Sequence, residues 1–212
     1  MKGDRPLVPG LVAEGVSDEP FLRRLITRQL EAVVLAKSPG RVSVFDCQVS
    51  EVRVTDAGVR DAAWELALDC HLVFVHSDEK ERAKAEGLAG VIRQRAQQER
   101  AAEPVVLVPV RMTESWMLAD RRAITTAVGG ADLTAYPYRH PAEVEKAHNS
   151  PDHPAYAKRV WQAIAGKGHG GALDDSMELL AQHIDLDILG RLPSYQRWLA
   201  DTEDALKLKG FL

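Results

Sequence analysis

A chain of 212 residues with 45% apolar content can bury one sizeable core. Its 27 Lys and Arg against 31 Asp and Glu leave a net charge of −4, which excludes a global field that gathers nucleic acid, so any polyanion contact must be local. Cys47 and Cys70 lie in apolar segments without CxxC spacing, which excludes a disulfide framework and a thiolate zinc site. No apolar run approaches a membrane span and MKGDRPLVPG lacks a signal-peptide core, so the composition points to a cytoplasmic protein.

The chain opens with LVPGLVAEGVSDEPFLRRLI (residues 7–26). A short apolar run ends at Glu14-Gly15, and an amphipathic pattern then starts at Phe21, Leu22, Leu25 and Ile26, which reads as strand, turn, helix. Ser17 is the expected cap, Asp18 and Glu19 fall in the first turn where the helix dipole favours acids, and Pro20 suits a helix start. Arg41 to Val49 alternates and reads as one strand, and Gly58 to Leu68 as a helix. HLVFVHSD (residues 71–78) has an unbroken apolar middle, the mark of a strand buried on both faces of a parallel sheet. A long polar helix over Glu79 to Ala102 leads to a second buried strand, VVLVPV (residues 105–110), and TESWMLADRRAITTAV (residues 113–128) reads as one helix capped by Thr113.

Strands alternating with helices predict an α/β, Rossmann-like, largely parallel sheet flanked by helices over residues 1–128. Residues 129–212 read as a helical C-terminal extension packed on it, with helices over 155–165 and 174–184 and a last one capped by Ser194. Trp116, Met117, Trp161 and Trp198 fit packing positions, and GKGHGG (residues 166–171) reads as a connector because it lacks phosphate-loop spacing.

Acids follow three strands: Glu14 after the first, Asp78 with Glu79 after HLVFVHS, and Glu114 after VVLVPV. Parallel strands share one carboxyl edge, so these groups should converge there, the edge where α/β sheets bind ligands, and Asp18 could point into the same rim. Carboxylates brought together repel and resist burial, which favours a hard cation such as Mg²⁺ among them.

These residues resemble the TOPRIM domain of topoisomerases and primases. Glu14-Gly15 followed by Ser17-Asp18 and a helix is similar to its first motif, HLVFVHSD stands where a later strand ends in a metal-binding Asp-x-Asp pair, and VPVRMTESWMLAD resembles a segment of bacterial TOPRIM-like proteins related to the overcoming-lysogenization-defect (OLD) nucleases. The resemblance spans Leu7 to about Asp120. It implies a nuclease or related phosphodiesterase dependent on Mg²⁺ or Mn²⁺, acting on DNA or RNA in phage defence or genome maintenance. Asp18, Asp78 and Glu114 would hold metal, and Glu14 would serve as general acid or base or as another ligand, giving Glu14, Asp78 and Glu114 as the catalytic set. The chain departs from the pattern at His76, an imidazole where the family has a carboxylate. As a ligand His76 would favour Mn²⁺ or another transition ion over Mg²⁺, neighbouring Glu79 or Glu81 could replace the lost acid, or the site is degenerate and the chain a regulatory module working with a partner ATPase. A receiver-like role with phosphate on Asp78 would need a lysine at the later strand end, where Arg111 stands. For the nucleic-acid backbone the candidates are Arg24, Arg111 and Lys167, with Arg23, Arg28, Arg121, Arg122, Lys158 and Arg159 as further cations.

Overall fold

The computed structural model describes residues 4–97, 99, 101–129, 131–134, 136–166 and 171–212, with backbone alone at 171–173. Pairs of parallel strands carry the chain. β1 (Arg5–Leu7) pairs with β3 (Val42–Val44), and β2 (Pro9–Val12), β4 (Gln48–Val49), β5 (Leu72–His76) and β6 (Glu103–Leu107) form a sheet in the order β4-β2-β5-β6. The register sets Leu11 beside Phe74, Phe74 beside Val105 and His76 beside Leu107. The central strands therefore end together on one edge.

Period-two alternation divides the apolar residues between two layers. Leu11, Leu72, Phe74, Val105 and Leu107 face a large core built with α1 (Glu19–Lys37), while Val12, Val73 and Val75 face a smaller one built with α2 (Val59–Asp69) and α3 (Arg82–Ala96). The large core continues through α4 (Thr113–Met117), α5 (Arg121–Ala127), α6 (Ala157–Ala165), α7 (Gly171–His183), α8 (Leu186–Leu189) and α9 (Pro193–Leu208). Trp116, Tyr195, Trp198 and Phe74 form its aromatic centre, with Trp116 and Tyr195 4.9 Å and Phe74 and Trp198 5.8 Å apart at their ring centroids. The architecture is thus α/β and Rossmann-like, and the helices after residue 129 share the sheet's own core. Among the described residues no helix is long and apolar enough to cross a membrane.

Several local expectations change, among them the opening run, which is two strands, β1 and β2. The strand expected over 41–49 is two, because the chain bends away at Asp46 and the Cys47 N–H turns to Thr27 Oγ1 of α1 (3.3 Å) before pairing resumes. The helix expected over 113–128 breaks after Met117, where the Asp120 carboxylate accepts from Arg122 N–H and Ala123 N–H and starts α5. Ser17 lies in a 3-10 turn (Val16–Asp18), which moves the helix cap to Asp18. Ser194 sits inside α9, its hydroxyl joining Trp116 Nε1 (2.8 Å) to Glu145, so its side chain serves the core instead of a cap.

Candidate functional site

The common strand edge carries the acids because each follows its strand within a few residues. Glu14 leaves β2 at the point where Asp78, two residues past β5, comes alongside: the Asp78 N–H donates to Glu14 Oε2 at 2.6 Å. The chain after Glu14 turns through Gly15, and a Cβ there would meet Asp18 Oδ2 at 3.4 Å, so the Asp18 carboxylate lies back over the strand end. Glu114 arrives from the first turn of α4. The four side chains are partly buried.

The charges of these side chains act on one another. Burial pushes the Asp78 carboxyl up to about 7, and repulsion from Asp18, Glu14 and Glu114 adds to it, with Lys80 opposing. The Glu114 carboxyl is raised by burial and by Asp18, with Lys158 opposing. A concentration of negative charge this poorly matched is atypical of a structural ion-pair network.

His76 is fully buried at the centre of this edge. Its Nδ1 accepts from the Glu14 N–H at 3.4 Å, which leaves the proton on Nε2 to donate to Thr113 Oγ1 at 3.0 Å. Burial lowers its pKa against the pull of Asp18 and Glu14, so the ring is neutral. Both nitrogens are engaged. The imidazole ties the end of β2 to the start of α4 and offers no lone pair to a cation. Thr113, expected to cap its helix, instead gives its side chain to this bond, while the cap position falls to Met112.

Arg111 clamps the neighbouring strand end. Its φ of 71° is left-handed, a region that costs a residue with a Cβ about 1 kcal/mol. The strain is held by reciprocal bonds: Glu79 N–H to Arg111 O, Arg111 N–H to Glu79 Oε2 and Arg111 Nη1 to the same oxygen, each 3.3 Å. Arg111 thus stands at the rim, as its sequence position suggests, with Glu79 neutralised by it and Glu81 paired to Lys84 (2.7 Å). Neither acid replaces the missing carboxylate.

The other proposed backbone contacts fare differently. Arg24 donates to Gln182 of α7, while Lys167 lies outside the described residues. No family model, curated protein or solved structure matches the chain.

Among the described residues no three His, Cys, Asp or Glu side chains are arranged to enclose a metal ion. The donors nonetheless have the right chemistry for a hard divalent cation: Glu14, Asp18, Asp78 and Glu114 supply carboxylate oxygens, and the raised Asp78 and Glu114 favour any partner that offsets negative charge. The buried hydroxyls of Ser77 and Ser115, each next to an acid, have no hydrogen-bond partner. The segment 148–156, to which the sequence assigns no site residue, returns to the rim and lines a cleft of about 280 Å³ with Asp78 and Arg111. Its signal was a long turn-rich stretch, HNSPDHPAY, between helices.

Proposed function

We propose that this chain is a TOPRIM-like, divalent-metal-dependent nuclease or related phosphodiesterase. The observation that carries the reading is the gathering of Glu14, Asp18, Asp78 and Glu114 at one strand edge, where burial, with repulsion from the other three, pushes Asp78 up to about 7. When bound, a divalent cation would supply charge compensation for the phosphoryl oxygens during in-line attack. Asp18, Asp78 and Glu114 would hold it, and Glu14, oriented by the Asp78 N–H, would be the acid or base toward water or the leaving oxygen. His76 fixes the spacing of Glu14 and Glu114 through Thr113. Arg111, kept at the rim by Glu79, and Lys80 face the phosphodiester. An all-oxygen donor set favours Mg²⁺, with Mn²⁺ as an effective substitute. The resemblance to OLD-related proteins supports phage defence or genome maintenance as the setting of such an activity.

The test is cleavage of single- and double-stranded DNA and RNA in Mg²⁺ and then Mn²⁺, with wild type beside Asp78→Asn. Cleavage that the substitution removes supports the reading. Folded protein that cleaves nothing under any of these conditions sinks it. A second reading then takes over, a degenerate TOPRIM-like module that regulates a partner ATPase, favoured by the bonding of both His76 nitrogens where a family ligand would stand.

A further inference from the structure

The cleft beside Asp78 is more than a rim. Its walls include Met112, Pro151 and Tyr156, with the Asn149 amide and the His148 imidazole as polar groups, while Lys80 and Arg111 flank Asp78 at the acidic end. His148 is held as a wall by stacking on His153, with ring centroids 3.8 Å apart and planes 14° from parallel, and by accepting the Ser150 N–H at Nδ1 (3.1 Å). Pro151 and Tyr156 also line a second cleft, of about 570 Å³, whose other side carries Lys158 and Arg159.

Flat apolar and aromatic walls with one amide suit a planar heterocycle, and cations on both sides of it suit the phosphates before and after. A base inside a duplex has its faces stacked and its pairing edge occupied, so it cannot enter a side cleft. We propose that the cleft beside Asp78 seats an unpaired nucleobase of single-stranded nucleic acid against Tyr156, with its phosphodiester delivered toward Asp78 and the strand continuing past Lys158 and Arg159 of the neighbouring cleft. This rests on the phosphodiesterase reading and names its substrate class.

Fluorescence anisotropy in Ca²⁺ would compare four labelled probes of equal length: oligo(dT), oligo(U), a blunt duplex and a fully abasic deoxyribose-phosphate strand. The wild type should bind oligo(dT) or oligo(U) about tenfold more tightly than the duplex or the abasic strand, the range expected for one stacked base. Whichever of the two binds better assigns the sugar. Tyr156→Ala should bring the single strands down to the abasic level, and Tyr156→Phe, which keeps the ring, should hold them near wild type. Equal binding of the abasic strand and oligo(dT) by the wild type overturns the base seat but leaves a phosphodiesterase that grips backbone alone. No binding to any probe overturns both readings.

Discussion

Charge is handled in opposite ways at the start of α1 and on its face toward α7. Along the helix, toward α7, every arginine has an assigned partner: Arg23 pairs with Glu178 (2.5 Å), Arg24 bonds Gln182, and Arg28 donates to the Ala181 and Ile184 carbonyls at the end of α7. At the start of the helix, Asp18 joins Glu14, Asp78 and Glu114, and among the described residues none of the four forms a salt bridge. Matched charge along the helix fastens two helices, and unmatched charge at the strand edge is what the proposed cation would offset.

The sharpest way to break the comparison is at Asp78. Asp78→Asn keeps the shape and the backbone bond to Glu14 but removes one negative charge from the cluster. We expect cleavage in Mg²⁺ to fall at least a thousandfold, about 4 kcal/mol of transition-state stabilisation, measured as kcat/KM on the best substrate. Arginines of the α1–α7 seam have no such reach, since their partners belong to the scaffold.

His76→Ala tests the strut beneath the acids. It leaves the Glu14 N–H and the Thr113 hydroxyl without their partner and opens a hole in a fully buried position, which together should lower stability by about 3 kcal/mol in urea. His76→Asn, whose amide can still accept near the Nδ1 position, should recover part of that loss. Recovery of metal-induced stabilisation along with it would separate a positioning role from simple packing.

Metal-free protein should show directly the cost of burying these charges beside one another. The Asp78 carboxyl is raised in the folded state, so the fold holds a proton that the unfolded chain releases, and stability falls as pH rises from about 4 to about 7. The raised Glu114 acts in the same direction. Because Asp78 is partly exposed, roughly 2 kcal/mol is the expected size, and Asp78→Asn should recover it at pH 8. Saturating Mg²⁺, at about a hundred times its dissociation constant, should stabilise wild type at pH 8 by about 2.7 kcal/mol and the variant by far less. A thermal scan with and without EDTA reads both.

Much of this was legible in the sequence, and the limits follow from reach. Strand ends are set by local apolar patterning, so Glu14, Asp78 and Glu114 could be placed on one edge from residue spacing alone. Hydrogen bonds across the sheet could not. His76 presents the same letter whether it binds metal or braces Glu14 and Thr113, and only the parallel pairing of β2 with β5 decides which atoms it meets. The same holds for Arg24, whose partner lies 158 residues away on α7. Tyr156 and His148 reach the rim through a turn-rich segment whose path carries no periodicity to read.

The smallest effects test the seam itself, and they should split by burial. Arg28 donates to two carbonyls at the end of α7, where the helix dipole favours a cation, and burial already lowers its pKa. Arg28→Ala strands those carbonyls and should lower stability by about 1.5 kcal/mol, with little change between low and high salt. Arg23 and Glu178 are both about half exposed, so their pair is solvated and screened despite its short distance. Arg23→Ala should therefore lower stability by less than about 0.5 kcal/mol, and that small loss should vanish in 1 M salt. If the Arg23 variant proved the worse of the two, the seam would be held by its surface charges. The contrast with the strand edge would then be one of sign alone, since charge at the seam and at the start of α1 would both be acting through water.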